Sequence, residues 1–206
     1  MRILVDLQAA QSASRFRGIG RYSLSLARAM AKNSKSHEIW LALNAAFPES
    51  ILEIRRLFTE IIPHEHIRVF SVPIPAAAMD YSNVRRARAG EKIREHFLCQ
   101  LKPDVIHVSS LFEGWEDDAV TSIGAFAAGA NTAATLYDLI PLLHREAYPP
   151  QQAHQDYYFR KLRSLRNAGY LLAISEWSRR EAIDALKLPE ERIFNISTGI
   201  ENTFRP

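Results

Sequence analysis

The stretch Arg15-Phe16-Arg17-Gly18-Ile19-Gly20-Arg21-Tyr22 follows an apolar run at residues 3–5 and opens a pattern of apolar residues at helical spacing. This order predicts a strand, a loop and a helix that begins at the two glycines. Because glycine has no Cβ, the backbone here can lie close to a ligand, and the first N–H groups of the helix point at any bound anion. Arg17 and Arg21 oppose the helix dipole, so a negatively charged partner would explain them. A tight turn beside two solvated arginines explains the stretch equally well.

The composition is that of a globular protein with a mild excess of positive charge. The chain has 206 residues, of which 47% are hydrophobic, enough for a buried core in one large domain or two small ones. Lys and Arg number 26 against 23 Asp and Glu, and the densest basic run, residues 85–88, is followed closely by glutamates. No run of like charge is long enough for a nucleic-acid-binding arm, so nucleic acid is not an expected partner.

The single cysteine and the apolar runs indicate the compartment. Cys99 excludes an internal disulfide, and its apolar neighbours predict a core or near-core thiol, which favours a reducing environment. The apolar run near the N-terminus is too short for a signal peptide, and no run approaches the length that spans a membrane. We therefore expect a cytoplasmic protein whose only membrane contact is peripheral, at the inner face of the membrane.

Strand-like and helix-like segments alternate along the whole chain. Apolar runs predict strands over residues 3–5, 38–43, 67–72, 104–108, 132–137, 170–174 and 193–196. Helices are predicted from the glycines to residue 32, over 50–61, from 82 to Pro103, over 119–128, from 149–150 to 167, and over 176–186. This alternation predicts an α/β fold: a Rossmann-like, doubly wound, mainly parallel sheet of about seven strands with helices on both faces.

Ligands of such sheets bind beyond the carboxyl ends of the strands. The sequence motifs of several known ligand-binding and catalytic sites are absent from these positions. The rule selects four segments, residues 8–20, 109–117, 138–148 and 175–179. Ser23 stands where the dinucleotide fingerprint requires its third glycine, and neither a P-loop nor a serine-hydrolase elbow occurs. The seven histidines show no metal-ligand spacing, so no metal site is expected. What remains is an anion-binding loop on a Rossmann-like sheet.

Five parts of the chain carry a family resemblance through their order and spacing. They are RILVD at 2–6 with RGIGRY at 17–22, PDVIH at 103–107, TLYDLIP at 135–141, AISEWSRR at 173–180 and NISTGIE at 195–201. Together they resemble the N-terminal half of the retaining glycosyltransferases of the GT-B fold. The similarity is to the group 1 or family 4 type, which includes many bacterial mannosyltransferases, and it extends over essentially the whole chain.

The resemblance implies a domain division and a reaction. Residues 1–198 would form the Rossmann-like, acceptor-side domain, and residues 199–206 would begin the crossover to a C-terminal donor-binding domain that the chain lacks. That absent domain would bind most of the donor, a nucleotide sugar such as GDP-mannose, so the fragment alone is expected to be inactive. The reaction would be a retaining, metal-independent transfer, without a cofactor, to a glycan or lipid-linked glycan of bacterial surface polysaccharide or lipopolysaccharide.

The resemblance also gives the glycine stretch a role. Its charged and glycine residues would face the donor diphosphate or a phosphate-bearing acceptor; they are Arg15, Arg17, Gly18, Gly20 and Arg21. A bulky residue in place of Gly20 is then expected to reduce turnover while leaving the fold intact.

The candidate catalytic residues, Tyr137 and Asp138, and the candidate substrate contacts, Glu113 and Trp115, follow two predicted strands. Asp138 would bind sugar hydroxyls, or it caps a turn. Tyr137 stands where the family commonly has histidine; it donates a hydrogen bond to a sugar hydroxyl or packs in the core. Glu113 and Trp115 suit sugar recognition, and they would equally serve as loop anchors. His107 lies within an apolar run and is interpreted as a core histidine.

Two other functions stay open from the sequence. A nucleotide-sugar epimerase of GT-B type has the same architecture and would release a free sugar. A binding module that recognises a glycan or a nucleotide without catalysis would need no second domain. The donor, the acceptor, the linkage and the oligomeric state are not set by these residues.

Overall fold

A computed structural model of the protein describes residues 1–126, 128–144 and 152–199. Seven strands run through them: β1 (Arg2–Asp6), β2 (Glu38–Asn44), β3 (Ile67–Phe70), β4 (Val105–Val108), β5 (Thr132–Leu136), β6 (Tyr170–Ala173) and β7 (Ile193–Asn195). They form one parallel sheet in the order β3-β2-β1-β4-β5-β6-β7. The predicted fold class is confirmed.

Helices cover both faces of this sheet, as predicted. They are α1 (Gly18–Lys32), α2 (Pro48–Phe58), α3 (Val84–Gln100), α4 (Ile140–Leu143), α5 (Gln152–Arg166) and α6 (Glu176–Leu186). Side chains alternate along each strand, so Val5 packs with α1 and α2 on one face and Leu4 with α3 on the other. The helices α5 and α6 extend the α3 side over the last strands. Both faces of β1 are therefore buried, which explains its continuous apolar run.

The helix predicted over residues 119–128 is wrong. Residues 119–123 are buried, but their backbone is irregular, and Gly124 has a φ of +85°. Their polar groups bond to side chains of other helices: the carbonyl of Ser122 accepts from Arg94 at 3.0 Å, and the N–H of Ile123 donates to Ser164 at 2.5 Å. Long-range partners therefore replace the hydrogen bonds that a helix would supply.

Four predictions fall partly outside the described residues, and one of them is the ligand-binding segment 138–148, of which residues 145–148 lie outside. Pro149 and Pro150, predicted to precede a helix, lie outside them, although α5 itself is present from Gln152. The predicted crossover at 199–206 lies outside them beyond Gly199, and so does position 127. The short helix α4, in contrast, was not expected, since residues 138–141 were interpreted as a turn.

The order of the strands places a topological switch point beside β1. The chain passes from β1 to β2 and β3 on one side, and then returns to place β4 on the other side of β1. The connections after β1 and β4 consequently diverge at the carboxyl ends of these two strands, which is where ligands of doubly wound sheets bind. We call the region formed by residues 8–17, residues 109–118 and the start of α1 the crevice.

On the α3 side of the sheet, charged residues are buried in pairs. The guanidinium of Arg94 donates to Asp6 through Nε at 2.7 Å, and both side chains are 1% exposed. The ammonium of Lys161 bonds to the Thr121 hydroxyl at 2.6 Å and lies 3.6 Å from the Glu91 carboxylate. Burial lowers the pKa of Lys161 to about 8.

Candidate functional site

The loop that follows β1 is fastened across the crevice to the loop that follows β4. The hydroxyl of Ser12 donates to the Glu113 carboxylate at 2.6 Å, and the N–H of Ala13 donates to Asp117 at 2.5 Å. Deeper in the loop, the Gln8 amide donates to the carbonyl of Val120 at 2.7 Å. The two predicted segments, 8–20 and 109–117, are thus brought together, and they hold each other in place.

The start of α1 opens towards the crevice with free amide groups. Arg17 has an extended backbone at the N-cap and no capping side chain, and the first turn contains no acidic residue. The N–H of Arg21 already bonds to the Arg17 carbonyl at 3.1 Å, whereas the N–H groups of Gly18 and Ile19 have no acceptor among the described residues. These free donors and the helix dipole make this end of α1 positive.

The two glycines of this turn differ in what surrounds them. A Cβ on Gly20 would overlap the carbonyl oxygen of Ser14 and would stand 2.8 Å from that of Ala9. A Cβ on Gly18 would meet no atom within 4 Å. Gly20 is therefore required because the helix packs on its own loop, and the expectation that a bulky residue there leaves the fold intact is wrong. Only Gly18 faces open space.

The arginines of the stretch also separate into two kinds. Arg15 forms an ion pair with Glu53 on α2, and its guanidinium lies 4.8 Å from the ring centre of Phe16. Arg17 and Arg21 are exposed, and neither has an ion-pair partner in the part of the chain that the structure describes. Within this stretch, Arg17 and Arg21, which flank the helix start, are thus the arginines without a carboxylate partner among the described residues.

Tyr137 links three elements at the floor of the crevice. Its hydroxyl lies 3.0 Å from the Ser23 hydroxyl on α1, 3.1 Å from the Ser109 carbonyl after β4, and 3.4 Å from the Ile19 carbonyl. The ring meets Tyr22 edge to face, with centres 5.8 Å apart. Burial raises the pKa of Tyr137, so the phenol is neutral. The side chain packs at the strand end and occupies its hydroxyl with protein partners.

Asp138 lies at the rim, where α4 begins. Its side chain is exposed, and its carboxylate accepts a hydrogen bond from the N–H of Ile140 at 3.1 Å. The structure therefore contains the turn cap that the sequence offered as one of two interpretations. The second carboxylate oxygen has no protein donor among the described residues.

Glu113 and Trp115 differ in their surroundings although they share a loop. Glu113 is 4% exposed; Ser12 binds one of its carboxylate oxygens, and its backbone carbonyl accepts from the Tyr157 hydroxyl at 3.0 Å. Trp115 packs against Tyr157 and His154, with ring centres 5.4 and 4.9 Å away. Trp115 anchors the loop to α5, while Glu113 places a carboxylate in the wall of the crevice.

Several polar residues of the crevice were not singled out from the sequence. Ser12 and Asp117 fasten the loops, and Ser23 and Ser109 surround the Tyr137 hydroxyl. Ser109 carried a signal, since it is the first polar residue after an apolar strand. Ser23 carried none, because its importance depends on how α1 lies over β5.

Metal-binding clusters and membrane-spanning helices are both absent from the described residues. No group of three or more His, Cys, Asp or Glu side chains within residues 1–126, 128–144 and 152–199 is arranged to hold a metal ion. Over the same ranges, no helix has both the length and the apolar character needed to cross a membrane.

Comparison with known proteins places the chain among glycosyltransferases. The family model for Glycosyltransferase Family 4 matches residues 16–204. A serotype-specific mannosyltransferase, WbdA from Escherichia coli, is 31% identical over 205 residues, which are 99% of this chain and 24% of that protein. Another WbdA from Escherichia coli is 28% identical over 180 residues, 87% of this chain and 22% of that protein. The chain thus spans about a quarter of the length of the curated relatives it matches.

Solved structures agree on the fold. The crystal structure of Arabidopsis thaliana UGT89C1 complexed with UDP-L-rhamnose covers 100% of this chain and 53% of its own, with a TM-score of 0.53 and 11% identity. The same protein complexed with UDP gives a TM-score of 0.51 at 11% identity, covering 98% of this chain and 50% of that one. At this level of identity the likeness establishes the architecture of the sheet and its helices.

Proposed function

The chain belongs to glycosyltransferase family 4, and from that premise we propose that it is the acceptor-binding domain of a retaining enzyme that transfers a mannose-type sugar. The donor would be a nucleotide sugar such as GDP-mannose, and the acceptor a glycan or lipid-linked glycan of a bacterial surface polysaccharide or lipopolysaccharide. The 31% identity to the mannosyltransferase WbdA supports the choice of sugar. The protein would work in the cytoplasm, with peripheral contact at the inner face of the membrane.

The domain division is part of this proposal. Residues 1–198 would bind the acceptor, and residues 199–206 would lead to a second domain that binds most of the nucleotide sugar. The relatives are about four times as long as the matched region, which leaves room for such a domain in them. Without it, the chain would bind its acceptor but transfer no sugar.

The observation that carries the proposal is positive charge at the mouth of the crevice that no carboxylate of the described residues neutralises. Arg17 and Arg21 flank the helix start, and the free N–H groups of Gly18 and Ile19 lie between them. A departing diphosphate or an acceptor phosphate carries negative charge that such donors stabilise without a metal ion. Arg15, held by Glu53, and Gly20, enclosed by its own loop, would support this arrangement from behind.

Carboxylates beside the same opening would bind sugar hydroxyls. Asp138 is exposed at the rim, and Glu113 lies in the wall with one oxygen held by Ser12. Carboxylate oxygens accept hydrogen bonds from hydroxyl groups and so fix the orientation of a sugar. Tyr137 would position α1 and the β4 loop around the sugar, and Trp115 would hold that loop against α5.

The test is sugar transfer by the full-length natural protein with GDP-mannose and its glycan acceptor. Arg17→Gln and Arg21→Gln should each reduce kcat/KM at least about tenfold, the effect expected for loss of one charged contact. Arg28→Gln removes an equally exposed arginine further along α1 and should leave transfer unchanged. Equal activity of all three variants would remove the anion-binding role of the helix start.

A second assay separates transfer from epimerisation. The reaction products are analysed with and without the acceptor. A glycan extended only when the acceptor is present supports transfer, whereas free sugar released without it would support the epimerase. Nucleotide or glycan binding without any product from the full-length protein would favour a binding module. The match to a glycosyltransferase family favours the first outcome.

A further inference from the structure

A groove lies between the N-terminal part of α3 and helix α5, on the side of the sheet opposite α1 and α2. Its volume is about 230 Å³, and small side chains such as Ala87 and Ala153 form part of its wall. The segment before α3 lines it as well, and the N–H of Ala78 there donates to the Gly114 carbonyl at 3.0 Å. The groove therefore lies behind the β4 loop and is separate from the crevice.

The charge of this groove is predominantly positive. Three arginines line it, Arg88, Arg160 and Arg163, against a single aspartate, Asp156. Asp156 already accepts a hydrogen bond from the Gln152 amide at 2.8 Å. The lining thus contains more cationic than anionic groups, and it has room for a ligand between them.

The three arginines are not equally committed to protein partners. Arg160 donates through one terminal nitrogen to Glu91, which leaves its other guanidinium donors available. Arg88 and Arg163 are exposed, and within the described residues neither has a carboxylate partner. Guanidinium groups bind phosphate oxygens through two parallel hydrogen bonds, which makes them the preferred phosphate ligands among side chains.

Apolar side chains adjoin these charges. Phe159 contributes to the lining, and Tyr81 lines the mouth although 76% of its surface is exposed. Large apolar side chains beside a cationic groove suit a ligand that has an organic part next to its anionic group.

We propose that this groove binds a phosphate ester, with the phosphate held by Arg88, Arg160 and Arg163 and the organic substituent lying against Tyr81 and Phe159. The shared chemistry is a phosphate monoester or diester, and two sources supply it. One is the headgroup of an anionic phospholipid, and the other is a soluble phosphate ester. The site is distinct from the crevice and does not depend on the function proposed for it.

The first experiment measures binding of glycerol 3-phosphate to the full-length natural protein by calorimetry. The double variant Arg88→Gln/Arg163→Gln should weaken binding at least about tenfold, because two charged contacts are lost. Arg56→Gln removes an exposed arginine from α2, on the opposite face, and should not change the affinity. Both altered sites are exposed, so thermal unfolding should remain at the wild-type temperature.

A second experiment separates the two sources. Sedimentation with vesicles of phosphatidylglycerol and phosphatidylcholine is compared with sedimentation with phosphatidylcholine alone. Binding to the anionic vesicles that the double variant loses and Arg56→Gln retains identifies a lipid headgroup. Binding to glycerol 3-phosphate without vesicle binding identifies a soluble ester. The proposal is overturned if neither probe binds, or if the double variant and Arg56→Gln lose affinity equally.

Discussion

The crevice and the α3 side of the sheet both bury polar groups, but they satisfy them in different ways. On the α3 side, Asp6 and Arg94 are both charged and neutralise each other within the protein. In the crevice, the carboxylate of Glu113 is held by the neutral hydroxyl of Ser12, and Arg17 has no carboxylate partner among the described residues. Paired charges hold the fold together, whereas incompletely paired ones retain the capacity to bind a ligand.

The largest loss of stability is expected on the α3 side of the sheet, where the buried charges of Asp6 and Arg94 pair with each other. Arg94→Met would leave the Asp6 carboxylate buried without its counter-charge, and we expect a loss of about 3–5 kcal/mol in the free energy of unfolding. Urea denaturation measures it. Arg85→Met, which removes an exposed arginine from the same helix, should change stability by less than about 0.5 kcal/mol. A similar small change for both variants would show that Asp6 tolerates the loss of its counter-charge.

A comparable test separates the two glycines at the edge of the crevice. Gly20→Ala should cost about 3 kcal/mol of unfolding free energy, because the new methyl group overlaps backbone atoms of Ser14 and Ala9. Gly18→Ala meets no atom and should have the wild-type stability or slightly more, since alanine favours the helix. Thermal unfolding of the two variants decides the matter, and equal melting temperatures would contradict the packing role assigned to Gly20.

Acid is expected to lower the stability of the protein, because His107 is buried in its neutral form. Burial lowers the pKa of His107 to about 4, and its Nε2 bonds to the Thr135 hydroxyl at 2.9 Å, while Nδ1 has no hydrogen-bond partner among the residues that the structure describes. Between pH 6.5 and 4 the unfolded chain therefore binds the extra proton, so stability falls as the pH falls. His107 should account for about 2 kcal/mol lost by pH 5.

The matched variant for this test is His107→Gln, which keeps a polar side chain opposite Thr135 and has no titrating ring. Urea denaturation at pH 7 and pH 5 gives the change in stability for each protein. The variant should lose less stability than the wild type over this interval. The same pH dependence in both would mean that other groups cause the acid sensitivity.

Features that depend on local sequence patterns were predicted, and features that depend on contacts between distant residues were not. The strands are continuous apolar runs with local boundaries, and the rule that ligands bind at the carboxyl ends of strands selects the two loops that meet in the crevice. The segment 119–128 failed because its small apolar residues imitate a helix. Its backbone is held instead by Arg94 and Ser164, which lie far away in the chain. No local pattern encodes such partners.

The types of residue in the crevice could be predicted from the sequence, but the role of each residue could not. The sequence identified two glycines and several arginines, yet it treated Gly20 as a ligand contact and did not separate Arg15 from Arg17. Their roles depend on the path of residues 9–14 and on the position of α2, which brings Glu53 to Arg15. Contacts between elements decide such roles, and spacing along the chain does not contain them.

The smallest effect on stability, and the sharpest test of the comparison, is expected for Glu113→Gln. Glutamine keeps an oxygen that accepts from the Ser12 hydroxyl, and no buried cation loses its partner, so unfolding free energy should change by less than about 1 kcal/mol. Sugar transfer by the full-length protein should nevertheless fall about tenfold, because the carboxylate proposed to orient the sugar is gone. A stable, fully active variant would limit Glu113 to fastening the loop. A variant as unstable as Arg94→Met would show instead that the crevice, like the α3 side, depends on its charges to fold.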